Sequence, residues 1–344
     1  MLFASYAGEE IDNDLLIQMG YIPETFTGSI MRDALKFFYE NESRKVFSQM
    51  IALRRFKIWD HHITVLNNNP IYPTTNEAGY KLHFMLSDIS VKAAVENNHP
   101  AITGDKTNVE LESGQITIVH VPKGKHLAPI PLGTHNFFHI DLAPSIWPLL
   151  KKNKQAAALL TAIKKAKTHG QAQINTAPVA INVYCMGLIE QIRQHAYSGQ
   201  IADIYLQKKC WQLLSYFATS FAQQGKKARR PLTPKDVNTL DNVKAMMKLQ
   251  LHEHFNADIL GRNFNIAPGI LARNFQQLFH SSIYDFSRNY KMEQAFKQLV
   301  KRTLSPGKLA QLLGFKNTAT FTRAFHAYWG YKPAYIRQMK NNTL

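Results

Sequence analysis

The spacing of apolar side chains changes twice within residues 1–222. Residues 1–55 carry apolar positions at helical intervals, for example Val46 and Met50, which predicts an N-terminal helical segment. Residues 56–144 instead hold short alternating runs separated by Asn-Pro, Ser-Gly and Pro-Lys-Gly turn signals, which predicts a small β-sandwich or barrel. Helical spacing then returns in residues 145–222. The predicted strands are residues 58–66, 80–86, 115–121 and 135–142, and the later helices are residues 156–166, 179–197 and 201–222.

A basic linker and a helix start follow this part of the chain. Residues 223–234 read QQGKKARRPLTP, a composition typical of an exposed linker. The linker is either a plain tether or a tether that also contacts phosphates. Thr233 and Pro234 are a favourable N-cap and first helical residue, so they predict a helix that runs toward Phe255.

An internal repeat occupies residues 260–329. The first copy reads LGRNFNI and then RNFQQLF; the second reads LAQLLGF and then RAFHAYW, 49 or 50 residues later. Asn265 and Gly314 hold equivalent turn positions, and both residue types enter the left-handed backbone region readily. Gly261 and Ala310 are small enough for two helices to approach closely. Each copy therefore predicts a helix-turn-helix motif; the alternative is a pair of helical hairpins packed for stability alone.

The charge of the chain is concentrated in this repeat. The 344 residues contain 41 Lys and Arg against 24 Asp and Glu, a formal net charge of +17. Residues 235–344 carry +10 of it, and the first 234 residues carry +7 over twice the length. A basic surface attracts nucleic acid first and an anionic membrane surface second. Its position on two helix-turn-helix motifs favours DNA.

The repeat resembles the tandem helix-turn-helix domain of AraC/XylS-type bacterial transcription regulators. The match is closest in LAQLLGFKNTATFTRAF, residues 309–325, and WGYKPAYIR, residues 329–337. The first motif departs from the family pattern at three positions, where Gly261, Asn265 and Ala267 replace the usual Ala, Gly and Ser. Lys291 stands where the connecting helix usually has Arg. The resemblance implies that residues 235–344 are a DNA-binding domain whose recognition helices, about 268–279 and 317–329, enter successive major-groove faces of double-stranded promoter DNA.

Base contacts are expected near the exposed start of each recognition helix. Arg273 is predicted to dominate the first half-site, because Gly269 and Ile270 offer no side-chain hydrogen bonds, and Arg323 to read a base in the second. The alternative for both arginines is a phosphate contact or a surface ion pair. Lys291, Lys308 and Lys316 are expected to neutralise phosphates or to lie on a solvated face. The predicted DNA-binding residues are Gly269, Ile270, Arg273, Asn274, Gln277, Lys316, Asn317, Thr318, Thr320 and Arg323.

The resemblance also implies a sensing region ahead of the DNA-binding domain. We expect an α+β protein with a helical and β-barrel-like N-terminal region and flanking helices, followed by an all-α domain. Residues 56–144 are interpreted as a cupin-like effector region, and residues 145–222 as a helical dimerisation region. The loop PKGKH, residues 122–126, suits an anionic small-molecule effector, or it is a plain solvated turn. We therefore interpret the chain as a bacterial transcription activator that acts with RNA polymerase and forms a homodimer.

Enzymatic alternatives have little support in the sequence. Eight of the 14 histidines lie between His61 and His139, but His61 and His62 are adjacent, and His135 and His139 would lie about 13 Å apart along a strand, so no metal site is predicted. Cys185 and Cys210 stand in apolar helical contexts without zinc spacing. The sequence shows no catalytic motif, cofactor motif, signal peptide or membrane-spanning run. We therefore expect a cytoplasmic protein that is not an enzyme. The alternatives are a cupin-like enzyme or DNA-modification protein fused to a DNA-binding domain, and a sequence-indifferent DNA-compacting protein.

Overall fold

The computed structural model describes residues 18–68, 74–75, 77–96, 106–151, 156–175, 177–224 and 230–339. The chain forms two compact units. The first comprises Met1–Ala196 and Leu206–Lys226, and the second comprises Tyr197–Tyr205 and Lys227–Leu344. The first unit is built on antiparallel sheets with helices, and the second is helical, so the protein is α+β as predicted. Part of the predicted linker, residues 225–229, lies outside the described residues.

The first unit is organised around one eight-stranded antiparallel sheet. Its strand order is β1-β2-β3-β4-β11-β6-β9-β12, and two further strand pairs, β7-β8 and β5-β10, stand beside it. Within the described residues the large sheet is open rather than closed into the expected barrel, because its edge strands β1 and β12 are two residues long and do not pair with each other. The strands are β1 Gln18–Met19, β2 Leu35–Asn41, β3 Arg44–Ala52, β4 Phe56–Val65, β5 Thr74–Thr75, β6 Gly79–Met85, β7 Val91–Glu96, β8 Lys106–Leu111, β9 Gln115–Val121, β10 Gly124–Lys125, β11 Gly133–Leu142 and β12 Val179–Ala180.

The predicted N-terminal helical segment, residues 1–55, is wrong in its described part. Residues 35–52 form strands β2 and β3 instead, paired with each other and with β4. Val46 and Met50 are four residues apart, and that spacing places two side chains on one face of a helix and also on one face of a strand. Six consecutive residues of β3 are buried, so the polar–apolar alternation that identifies a half-exposed strand is missing. The four predicted strands of residues 56–144 correspond to β4, β6, β9 and β11.

Helices cover the C-terminal part of the first unit. Helix α3 contributes Arg193, whose guanidinium donates to both carboxylate oxygens of Asp60 on β4, at 2.9 and 2.7 Å. Asp60 is fully buried, so this bidentate pair supplies the charge compensation that a buried carboxylate requires. The helices of the chain's first 224 residues are α1 Trp147–Leu150, α2 Ala157–Thr168, α3 Val183–Arg193 and α4 Gly199–Gln223, after a short 3₁₀ turn at Pro144–Ile146.

The second unit contains two helix pairs joined by one long helix. Helices α6 and α7 form the first pair, α9 and α10 the second, and α8 connects them. The predicted N-cap is confirmed, because Thr233 forms a capping box with Asp236, and Pro234 is the first residue of the helix. The helix ends at Leu249 rather than near Phe255. The helices are α5 Pro234–Leu249, α6 Ala257–Phe264, α7 Pro268–Phe279, α8 Ile283–Val300, α9 Pro306–Leu312, α10 Thr318–Trp329 and α11 Pro333–Gln338.

Aromatic side chains form the core of each helix pair. Phe275 and Phe279 on α7 lie 4.6 Å apart between ring centroids, and Phe325 and Trp329 on α10 lie 6.4 Å apart. All four are buried, which confirms the stripe predicted from their four-residue spacing. Trp329 also stacks on Phe296 of α8 at 4.1 Å. This packing fixes which face of α7 and of α10 points away from the core.

Candidate DNA-binding surface

Both helix pairs have the tight turn that a helix-turn-helix motif requires. Asn265 has φ +52° and Gly314 has φ +73°, so both predicted turn residues adopt the left-handed conformation. A β-carbon on Gly314 would overlap the main-chain oxygen of His252, and one on Gly261 would lie 2.6 Å from the oxygen of Ile266. The small residues at these positions are therefore required by close backbone approach.

Helix α7 begins at Pro268, and its predicted DNA-binding residues differ in their exposure. Ala267 precedes it and provides no side-chain cap, in agreement with the missing Ser of the family pattern. Gly269, Ile270 and Arg273 are exposed. Asn274 and Gln277 are half-buried, and the Gln277 amide already donates to the main-chain oxygen of Arg230 at 3.0 Å. Arg273 is thus the charged group that this helix presents.

Helix α10 has a complete capping box at its start. Asn317 Oδ1 accepts from the Thr320 main-chain nitrogen at 2.9 Å, and Thr320 Oγ1 accepts from the Asn317 main-chain nitrogen at 3.4 Å. The Thr320 hydroxyl also donates to the main-chain oxygen of Asn317 at 2.8 Å. These bonds use the carboxamide oxygen of Asn317 and the hydroxyl proton of Thr320, which leaves the Asn317 NH₂ group as a donor for a base. Thr318 and Arg323 are exposed beside them.

The basic side chains of this surface lack acidic partners in the described part of the chain. Arg273 and Arg323 make no hydrogen bond, ion pair or ring contact with any described residue, and Lys308 and Lys316 likewise have side chains without ion pairs. The surface ion pair considered for the two arginines is therefore not formed within these residues. An unpaired guanidinium has all of its N–H groups available to donate to an acceptor outside the chain.

Lys291 is not exposed on this surface, so the solvated face that was one of its two predicted positions is wrong. It is buried, and its ammonium donates to the main-chain oxygens of Glu253 at 2.9 Å and Leu313 at 3.0 Å. Burial lowers its pKa, while Glu253 acts in the opposite direction. Lys291 joins the connecting helix α8 to the loop after α5 and to the end of α9, which is a structural role.

Three histidines of the first unit come together in a way that their sequence positions did not indicate. His61, His83 and His139 lie on the adjacent strands β4, β6 and β11, and the ring centroids of His61 and His139 are 5.1 Å apart. All three are buried, and burial is the main cause that lowers their pKa values, to about 3 for His83 and about 4 for His139. The rings stack nearly parallel, and among the described residues no group of His, Cys, Asp and Glu is arranged to hold a metal ion.

The remaining sequence candidates are buried or only partly exposed. Cys185 and Cys210 are free and buried, and burial raises the pKa of both thiols, to about 12 for Cys185. A thiol with a raised pKa is a poor nucleophile at neutral pH. In the 122–126 loop Lys123 is exposed, whereas His126 is buried beside the oxygen of Pro122 at 3.1 Å. No helix in the described ranges is long and apolar enough to cross a membrane.

Comparison with known proteins identifies the C-terminal domain. Residues 260–339 match the family described as "Helix-turn-helix domain". The C-terminal domain of AraT, a response regulator from Geobacillus stearothermophilus, is 19% identical; the alignment covers 33% of this chain and 94% of that one, with a TM-score of 0.30. The DNA-binding domain of AdpA, solved with a target DNA, is 24% identical over 29% of this chain and 89% of that one, with a TM-score of 0.28.

A longer alignment exists with ToxT from Vibrio cholerae. It covers 82% of this chain and 98% of that one, at 11% identity and a TM-score of 0.28. No curated protein matches the chain significantly.

The two helix pairs, their left-handed turns and the family match define the class of the C-terminal domain. It is a helix-turn-helix domain that contains two such motifs. The match to the family occupies residues 260–339 of the chain.

Proposed function

We propose that this protein activates transcription by placing α7 and α10 in successive major-groove faces of promoter DNA, about 34 Å apart. The observation that carries the proposal is the pair of exposed, unpaired guanidinium groups, Arg273 on one helix and Arg323 on the other. Each stands on a helix whose opposite face is fixed by buried aromatic rings. Such a group can donate two hydrogen bonds to a guanine edge, which contributes about 1–3 kcal/mol of discrimination.

The other predicted residues fall into supporting roles. Thr318 and the NH₂ group of Asn317 reach the same base edges as Arg323, and Ile270 offers an apolar contact to a thymine methyl group. Lys316 neutralises a phosphate at the edge of the second site. Gln277 makes a smaller contribution, since its amide is already bonded to Arg230.

Control of DNA binding is assigned to the residues ahead of the C-terminal domain. An anionic small molecule would bind beside the exposed Lys123 of the 122–126 loop, and residues 145–222 would supply the homodimer surface, where Val183 is 78% exposed. RNA polymerase is the partner that an activator recruits.

Analytical ultracentrifugation of the full chain and its Val183→Lys variant tests the dimer. We expect the wild-type chain to be a dimer and the variant to lose it, and a monomeric wild-type chain contradicts the proposal.

The central proposal is tested by selecting preferred sites from random DNA and then measuring binding to base-substituted versions. Arg323→Ala should lose affinity for the preferred site and lose discrimination at one base pair, whereas Lys316→Ala should weaken all sequences alike. Arg273→Ala should do the same as Arg323→Ala at a base pair one helical turn away. A uniform loss across all sequences in Arg323→Ala would refute base reading by that residue.

Two other functions make different predictions. A DNA-compacting protein would show no preferred site, and its binding would fall with salt equally for every sequence. A DNA-modification protein that uses a cysteine nucleophile is disfavoured by the burial of Cys185 and Cys210 and their raised pKa values.

A further inference from the structure

A cavity lies between the connecting helix α8, the loop that follows α5 and the second helix-turn-helix motif. Its volume is about 260 Å³, several times the roughly 30 Å³ that a water molecule takes in the liquid. Small-molecule sites usually have about 300–1,000 Å³, so the cavity suits a small ligand. Helix α8 contributes one wall, and Thr320 and Ala324 of α10 contribute another.

The lining of the cavity is cationic. Arg288, Lys291 and His254 line it, and neither Asp nor Glu is among the lining residues. The remaining walls include the rings of Phe255, Tyr284 and Phe315. An anion that enters would therefore meet the positive charge of Arg288 and Lys291, and Glu253, the carboxylate that acts on Lys291, is outside the lining.

Arg288 is the residue with unused donor capacity. Its Nε atom is buried and has no hydrogen-bond partner among the described residues. The guanidinium carbon lies 6.0 Å from the centroid of the Tyr284 ring, which holds the group against the cavity wall. Because Nε itself is buried, the part of Arg288 that an acceptor in the cavity can reach is its terminal NH₂ groups, which make no hydrogen bond or ion pair with a described residue.

Two neighbours can add donors to the same acceptor. The Lys291 ammonium uses two of its three N–H groups on Glu253 and Leu313, which leaves one. His254 donates from Nε2 to the Gly314 oxygen at 2.8 Å, so its Nδ1 atom becomes a donor to the anion only when the ring is protonated. A tetrahedral oxyanion has enough oxygens to accept from several groups, whereas a neutral ligand would leave the charges uncompensated.

We propose that this cavity binds a phosphate group, either of a small free phosphate compound or of the backbone of bound DNA. The first source is independent of the proposed function. The second source rests on it, because the DNA would then contact Arg288 as well as the recognition helices. An occupant of either kind would contact Thr320 and Ala324 of α10.

The experiment begins with calorimetric titration of the full chain with inorganic phosphate, against chloride at equal ionic strength. Arg288→Gln removes the central donor, and Lys297→Gln is the matched control, because Lys297 is an exposed cation on the same helix outside the cavity. We expect saturable phosphate binding that becomes at least about tenfold weaker in Arg288→Gln and stays unchanged in Lys297→Gln. That result would show that the cavity binds a free phosphate compound. Arg288→Lys, with thermal melting of every variant, separates loss of the site from loss of folding.

The DNA source is measured by binding at several salt concentrations. Arg288→Gln is then expected to weaken all sequences alike and to reduce the slope of affinity against salt by about one, with Lys297→Gln at the wild-type slope. Phosphate binding that Arg288→Gln leaves unchanged overturns the proposal, as does the absence of both effects. A chain without any preferred DNA sequence refutes the proposed function alone, and the phosphate titration still decides this inference.

Discussion

Replacing Gly314 with alanine should destabilise the second helix-turn-helix motif far more than the same replacement at Gly330. Both glycines are left-handed, with φ +73° and +78°, so both substitutions carry the cost of that conformation for an L residue, about 1 kcal/mol. They differ in their surroundings. A β-carbon at Gly314 would overlap the main-chain oxygen of His252, whereas one at Gly330 would have no atom within 4 Å.

The magnitude at Gly314 follows from adding the two effects. The overlapped atom belongs to the backbone, so it cannot rotate away as a side chain would, and forced overpacking of this kind costs about 1–3 kcal/mol. The expected total is about 2–4 kcal/mol at Gly314 against about 1 kcal/mol at Gly330. Because His252 follows helix α5, the damage should also reach the loop that leads into the first motif.

Hydrogen–deuterium exchange of the full chain measures this locally. Peptides from α9 and α10 report the free energy of opening of the second motif, and peptides from α5 report the loop at His252. Gly314→Ala should accelerate exchange in both regions, and Gly330→Ala should do so mildly near the end of α10. Equal losses in the two variants, within about 0.5 kcal/mol, would show that the contact with His252 has no energetic consequence.

The remaining predictions concern buried charges and one helix cap. His139 has a pKa of about 4 in the folded chain against 6.5 for the free side chain, so acidification from pH 7 toward pH 4 protonates the unfolded state preferentially, and the contribution of His139 to stability should fall by roughly 3 kcal/mol, in addition to the losses from His61 and His83. His139→Phe should flatten this dependence in denaturant titrations at a series of pH values. Burial would raise the pKa of Asp60, but the nearby His62, with Nε2 3.6 Å from Oδ2, and the charge and hydrogen bonds of Arg193 hold it below its usual range. Arg193→Ala should therefore cost about 3–5 kcal/mol at pH 7, and less in acid once Asp60 is protonated, as unfolding curves at the two pH values would record. Thr233→Ala removes the α5 capping box and should cost about 1 kcal/mol in amide exchange of α5; an unchanged rate would contradict a role for the cap.

The two units differ in how much of them the sequence could predict. In the second unit the informative features are local: Asn265 and Gly314 mark turns, and aromatic residues four apart mark the buried faces of α7 and α10. In the first unit the decisive feature is strand pairing. Strand β11 lies between β4 and β6, and this order brings His61 beside His139, 78 positions further along the chain. The spacing of residues along the chain contains no information about such pairing. In β3, burial on both faces also removes the polar–apolar alternation by which a strand is predicted.

The candidate DNA-binding residues show why the two motifs should contribute unequally to sequence choice. If Arg273 and Arg323 each read one base pair, together they provide about 2–6 kcal/mol of discrimination, against the roughly 4–10 kcal/mol by which specific sites exceed non-specific DNA. The difference has to come from other side chains or from DNA shape. Asn317 and Thr318 at the start of α10 are exposed donors, whereas Gly269 and Ile270, the exposed neighbours of Arg273, have none, and Asn274 and Gln277 of α7 are half-buried. The net charge of residues 235–344 raises affinity for all sequences equally, so the second motif should supply the larger share of specificity.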